Sequence, residues 1–165
     1  MSVDTIMTRE VVSVRASDKV RDAWIVLIDT GISGAPVVDN EGTLVGVLSN
    51  TDIYRSVIER YRKAQSLREL TTRPTDQISM DKEDIRELSL AIVGVAGSPV
   101  SAVIVPGQKV ISISHEDSVD RALHLMAEHD VNLLPVLKDG KVVGIVTRQD
   151  IIWLLAGRPG KEHGR

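Results

Sequence analysis

An α/β (α+β) fold made of two copies of one β-α-β-β-α unit is what these 165 residues predict. Two observations carry that expectation. The chain repeats itself in order, and within each copy the apolar spacing switches between the two-residue period of a strand and the 3.6-residue period of a helix. A third observation is size: a unit of about 55 residues is small for a core of its own, and its sheet has one face to cover. Two copies packed sheet to sheet as a pseudo-two-fold pair answer that need.

The repeat emerges when Pro36-Val37 is set on Pro135-Val136. At that offset of 99, Val11 falls on Val110, Ser13 on Ser112, Asp18 on Asp117, Val20 on Val119 and Ala23 on Ala122. One residue is lost in the turn that follows. At offset 98, Gly42 falls on Gly140, Val45 on Val143, Gly46 on Gly144, Asp52 on Asp150 and Ile53 on Ile151.

In the first copy, the β-branched run 11–14 predicts a strand. Ser17 or Asp18 then stands where a helix cap belongs, ahead of Val20, Ala23, Trp24, Leu27 and Ile28 at helical spacing. Gly31 sits where a helix end favours positive φ. Strands are expected at 35–38 and 44–48, joined through the hairpin-type turn Asp39-Asn40-Glu41-Gly42. A helix from about Asn50 to Lys63 closes the copy. The second copy predicts a helix at about 117–129, strands at 134–137 and 141–146 around Asp139-Gly140, and a last helix near 148–155. The expected organisation is therefore a first domain at 1–63, a connecting segment at 64–98, a second domain at 99–156 and a loose tail at 157–165. The connecting segment carries a helix after Asp81 whose stripe Ile85, Leu88, Ile92 and Val95 either packs on the fold or faces a partner, packing being the favoured reading.

Composition removes several functions. There is no cysteine, which excludes a disulfide scaffold, a thiol nucleophile and a thiolate metal site. A net charge of -3 and 2% aromatic residues argue against bulk electrostatic binding or base stacking of nucleic acid. No apolar run approaches membrane-spanning length, and Met1-Ser2-Val3-Asp4 does not open a signal peptide, so a cytoplasmic location is expected. His124 and His129 stand about 140° apart around a helix and do not share a metal-facing side; no metal ligand set and no catalytic set is expected. His115 is the one histidine placed where it can approach a phosphate. Residues 55–73 carry a net +4, read as a solvated helix face or as help for a phosphate-bearing ligand or an acidic partner.

The polar chemistry concentrates after the third strand of each copy. Gly46-Val47-Leu48-Ser49-Asn50-Thr51-Asp52 and Gly144-Ile145-Val146-Thr147-Arg148-Gln149-Asp150 each place a glycine in a strand, a hydroxyl at the strand-to-helix junction and an aspartate three residues on. A strand glycine costs stability unless some group approaches the backbone closely. Ser-x-x-Asp and Thr-x-x-Asp are capping-box patterns that need no ligand. The same geometry suits a nucleoside phosphate, with the anion at a helix N-terminus and the carboxylate accepting from ribose hydroxyls. Both readings stand on the residues alone.

These residues resemble a known family. The duplicated unit closing on Gly-x-x-(Ser/Thr)-x-x-Asp, with Val3-Asp4-Thr5-Ile6-Met7-Thr8, Ile32-Ser33-Gly34-Ala35-Pro36-Val37-Val38-Asp39 and Leu134-Pro135-Val136, is similar to a tandem pair of CBS domains, a Bateman module. The resemblance implies a non-catalytic sensor that binds an adenosine nucleotide (AMP, ADP or ATP), or S-adenosylmethionine, in clefts between the copies. It implies that Asp52 and Asp150 meet ribose, and that Ser49 and Thr147 meet phosphate. Adenine is then held by Val12, Ser13, Ala35 and Pro36 in one site and by Ile111, Ser112, Leu134 and Pro135 in the other. It further implies a homodimer and an effector protein that reads the ligand state. Arg148 beside Thr147 can reach a phosphate where copy one has uncharged Asn50, so the Thr147/Asp150 site is expected to bind a phosphorylated adenosine more tightly. Copy two departs from the pattern at Val103-Ile104-Val105-Pro106-Gly107, before its first strand. The competing reading is a structural dimerisation module whose Ser49 and Thr147 only cap helices; nucleic-acid binding is a minor third.

Overall fold

A computed structural model of the chain describes residues 1–72, 82–104 and 110–157. The duplicated order is present: β1 (Val14–Arg15), α1 (Val20–Thr30), β2 (Gly34–Val38), β3 (Leu44–Ser49) and α2 (Asn50–Thr72) are followed by α3 (Lys82–Ala96). The second copy supplies β4 (Ile113–Ser114), α4 (Val119–Glu128), β5 (Leu133–Lys138), β6 (Lys141–Thr147) and α5 (Arg148–Leu155). The strands make two three-stranded sheets, ordered β1-β2-β3 and β4-β5-β6. Val14 pairs in parallel with Val37, and Ile113 pairs in parallel with Val136. Both pairings are one register repeated at the sequence offset of 99, so the duplication is structural as well as textual. The expected first strand at 11–14 contracts to a two-residue pairing at its C-terminal end.

Spatially the chain divides into two compact units that interleave the copies. One comprises the described residues of Met1–Arg15, Ala35–Val47 and Gly107–Arg165; the other comprises those of Ala16–Gly34 and Leu48–Pro106. The expected tail beyond Gly157 and the Pro106-Gly107 step lie outside the described residues.

The first unit has a core of Val3, Met7, Ile113, Ala122, Met126, Leu134, Val136, Val146 and Ile151. Ala122 and Met126 lie one turn apart on α4, the spacing of a single buried stripe. The central strand β5 is buried along Leu133–Val136 on both faces, which is why its sequence does not alternate. Two core members, Val3 and Met7, precede copy one in sequence yet complete copy two. The Val3 amide donates to the Asp117 carbonyl at 2.8 Å, and Thr8 and Ile145 exchange two backbone hydrogen bonds at 2.9 and 3.0 Å. The strand glycine Gly144 is explained here. A Cβ on it would collide with the sulfur of Met7, meet its Cγ at 2.9 Å and the Thr8 carbonyl at 3.1 Å. The close approach required by that glycine comes from the protein's own N-terminal segment.

The second unit shows the matching arrangement. The Val20 amide donates to the Ser98 carbonyl at 2.9 Å, the Val100 amide to Asp18 at 2.8 Å and the Ser101 amide to Ala16 at 2.9 Å. This alters the expected cap of α1. Lys19, not Ser17 or Asp18, is the N-cap, and it makes no side-chain cap bond. The Ser98 carbonyl takes the first helical amide, and the Asp22 amide, a usual target of a cap side chain, donates instead to the Lys19 carbonyl at 3.0 Å. In α4, Ser118 does cap conventionally, accepting from the Arg121 amide at 3.1 Å. Gly31 ends α1 in the left-handed region, φ 69°, as expected.

The connecting helix differs from expectation in its rotation. Val95 is buried, but Ile85 and Ile92 are 55% and 41% exposed, while Ala91 and Asp84 are buried. The expected stripe is thus turned about the helix axis. Arg60 of α2 lies across Gly94, its guanidinium 2.6–2.9 Å from where a Cβ would stand. A side chain at 94 would displace the Arg60 guanidinium, so Gly94 is what lets that group lie against α3. The helix expected to end near Lys63 also continues to Thr72.

Replacing Gly144 with alanine should destabilise the protein by about 1–3 kcal/mol, the usual cost of overpacking a filled site. Urea unfolding reads this directly, and an unchanged midpoint would show that the Met7 segment does not lie on β6.

Candidate functional site

Both hydroxyl–aspartate pairs stand where a strand runs without a break into a helix. Ser49 ends β3 and Asn50 begins α2; Thr147 ends β6 and Arg148 begins α5. The local geometry is a capping box in each case. Asp52 Oδ2 accepts from the Ser49 amide at 2.9 Å and from Ser49 Oγ at 2.5 Å, while the Asp52 amide donates back to Oγ at 3.3 Å. Asp150 Oδ2 accepts from the Thr147 amide at 2.8 Å and Oγ1 at 2.7 Å, with the Asp150 amide donating back at 3.3 Å. The amides of Asn50 and Arg148 are spent on the carbonyls of Ser33 and Asn132, at 3.1 Å each. Thr51 and Gln149 follow in the first turn of each helix, the end whose amides favour an anion.

The capping box engages only Oδ2 of each carboxylate. The two copies part company at the other oxygen. Asp52 Oδ1 is held by Arg55 Nη1 at 3.3 Å, one turn along α2. Asp150 Oδ1 has no partner among the described residues, and the position one turn along α5 is Trp153, which brings no cation. Asp150 itself is 7% exposed. The Asp150 oxygen left out of the cap is not one of the buried unsatisfied side-chain atoms, so it stays open to a donor from solvent or from a ligand.

Arg148 is placed differently from its expected role. Its Nη2 lies 3.1 Å from Asp130 Oδ1 at the surface, so its guanidinium rests on a neighbouring carboxylate and not in the capping box. Asp130 follows α4 at φ 50°, the place Gly31 occupies in copy one, and that position lends copy two a carboxylate that copy one lacks. His115 Nε2 lies 3.9 Å from Glu116.

The residues expected to hold adenine fall unevenly. Ile111, Ser112, Leu134 and Pro135 share a single compact unit with Thr147, Arg148 and Asp150. Strand register brings them level: Leu133 pairs with Thr147, Leu134 with Val146, and Ile113 with Val136. Leu134 is fully buried in the core, backbone included. In copy one, Val12, Ser13, Ala35 and Pro36 belong to one unit, and Ser49 with Asp52 to the other. A cleft of about 340 Å³ in the first unit is lined by Val11, Ser13, Val38, Glu41, Gly42, Lys141 and Val142. Ser13 alone was foreseen there. Glu41 and Lys141 sit beside hairpin turns with ordinary turn chemistry, so nothing in their local sequence marks them.

Comparison with known proteins places these features. A family model described as CBS domain matches residues 3–59 and 100–157. Protein MJ1404 of Methanocaldococcus jannaschii is 29% identical over 154 residues, covering 93% of this chain and 32% of that protein. The chain therefore spans about a third of that relative. The chloroplastic CBS domain-containing protein CBSX2 of Arabidopsis thaliana is 29% identical over 142 residues, covering 84% of this chain and 56% of that protein. A crystal structure of CBSX2 in complex with AMP matches with TM-score 0.63 at 24% identity, over 94% of this chain and 96% of that one. The CBS domain pair of protein MJ0100, in complex with 5'-methylthioadenosine and S-adenosyl-L-methionine, matches with TM-score 0.65 at 21% identity, over 95% and 97%. No helix among the described residues is long and apolar enough to cross a membrane.

Because Asp150 caps α5 whether or not a ligand binds, Asp150→Ala should cost about 1 kcal/mol of stability in ligand-free protein. Asp150→Asn should retain most of it, since an amide oxygen still accepts from the Thr147 amide. Chemical denaturation of the two variants separates them, and equal stability would remove the capping role.

Proposed function

Since the chain belongs to the CBS domain family, whose model covers most of it in two segments, we propose that it is a regulatory module without chemistry of its own that binds an adenosine-type ligand. The observation that carries this reading is the uncommitted Oδ1 of Asp150 beside a satisfied capping box. The cap holds the carboxylate in place through Oδ2. Its other oxygen is left to accept from the two hydroxyls of a ribose, each charge-assisted bond contributing roughly 1.5–3 kcal/mol. The ligand's phosphate lies against Thr147 and the Gln149 amide at the positive end of α5, and Arg148 joins it by leaving Asp130. Ile111, Ser112 and Pro135 hold adenine through aliphatic surface and backbone. In copy one, Asp52 and Ser49 take the same parts. The complexes of CBSX2 with AMP and of MJ0100 with sulfur-bearing adenosine compounds support this ligand class. AMP, ADP or ATP is the favoured ligand, and S-adenosylmethionine the alternative.

Ligand binding regulates only through unequal affinity for two arrangements of the protein, which an effector protein then distinguishes. A homodimer is the assembly proposed. Its support is an apolar surface on the second unit, where Trp24 meets the edge of Tyr54 with ring centroids 5.9 Å apart. Ile28 and Ile58, one turn from each ring, are both exposed. That same surface favours the second reading, a dimerisation module in which Ser49 and Thr147 only cap helices.

Thermal unfolding with AMP, ATP and S-adenosylmethionine separates the two readings. Ligand at about one hundred times its Kd should add about 2.7 kcal/mol of stability, whereas no shift with any adenosine compound would leave the dimerisation module. Calorimetric titration of AMP should lose about tenfold or more in affinity in Asp150→Asn, and less in Asp52→Asn. Equal losses would overturn the ranking of the two sites.

A further inference from the structure

We propose that Arg55 is an internal competitor at the copy-one site, holding the ribose-accepting oxygen of Asp52 so that copy one binds an adenosine ligand only after this ion pair opens. The inference rests on the adenosine reading above and deepens it. Asp52 Oδ2 is committed to the Ser49 cap, so Oδ1 is the oxygen left for a ribose, and Arg55 Nη1 occupies it at 3.3 Å. Copy two has the same cap with the same distances to within a few tenths of an ångström, yet Trp153 stands at the equivalent position and Asp150 Oδ1 has no partner among the described residues. The cation that copy two adds beside its hydroxyl, Arg148, is paired with Asp130 instead of with Asp150. The asymmetry therefore lies in the cation on the ribose acceptor as well as in the residue next to the hydroxyl.

The chemistry sets the size of the effect. Ribose hydroxyls donate to a carboxylate, and a guanidinium donates to it in the same place, so one excludes the other. The side chains of Arg55 and Asp52 are 54% and 21% exposed, which makes this a solvent-screened pair. Opening such a pair should weaken ribose binding about two- to fivefold, not abolish it. Copy one thus becomes a lower-affinity second site for the same class of ligand, and its threshold depends on ionic strength. A neutral nucleoside exposes this dependence cleanly, because adenosine itself carries no charge for salt to screen.

The test uses adenosine as probe on full-length protein. Asp150→Asn removes the charge at copy two while keeping the α5 cap, so calorimetry then reports copy one. In that background, Arg55→Gln should tighten adenosine binding about two- to fivefold. Raising KCl from about 50 to about 500 mM, which shortens the screening length severalfold, should tighten binding in Asp150→Asn but not in Asp150→Asn/Arg55→Gln. A simple structural role for Arg55 would move neither salt response. Unchanged or weaker binding on Arg55→Gln overturns the proposal, as does a salt response that persists without Arg55. If wild-type protein binds adenosine and neither Asp150→Asn variant does, this inference falls while the adenosine reading stands. If wild-type protein binds neither adenosine nor AMP, it is the adenosine reading that has failed.

Discussion

The backbone exchange between Thr8 and Ile145 is the constraint on which the ligand-side geometry depends. It ties the N-terminal segment across β6, two residues before the Thr147–Asp150 cap. Two buried residues, Val3 and Met7, anchor the same segment in the core. Gly144 exists to let that segment lie close, because any side chain there would strike Met7. The end of β6 is therefore held on one edge by β5 and on the other by a strap from the start of the chain. A strand end held so firmly can present a hydroxyl and a carboxylate at a helix N-terminus with little freedom to lose on binding.

The matching bonds from Ser98, Val100 and Ser101 to the approach of α1 show the same device used a second time. Each copy borrows a short segment that precedes the other copy in sequence. Such borrowing ties together residues roughly a hundred positions apart, and it explains why the compact units cut across the repeat. It also supplies the first amide of α1 with an acceptor, the carbonyl of Ser98.

A capping box and a nucleotide site are usually weighed as rival explanations of Ser-x-x-Asp. Here they use different atoms. The cap consumes one carboxylate oxygen in each copy, and what becomes of the other decides how the copies differ: Arg55 holds it in copy one, and nothing among the described residues holds it in copy two. The pair of Arg148 with Asp130 carries the same lesson, since a cation adjacent in sequence to a phosphate-type residue can be spent elsewhere.

Much of this was legible before any coordinates. The repeat at offsets of 99 and 98, the turn at Gly31, the order of strands and helices and the two junction motifs all follow from local pattern, because strand and helix periods and turn chemistry act over a few residues. Other features were not local. The seat of Arg60 on Gly94, the Ser98 carbonyl at the start of α1 and the role of Gly144 under Met7 each depend on residues distant in sequence. By itself the sequence determined the duplicated architecture and the residues with suitable chemistry. Only the tertiary structure decided which oxygens, amides and cations remain uncommitted, because that depends on partners brought close by packing, and neither spacing nor composition specifies them.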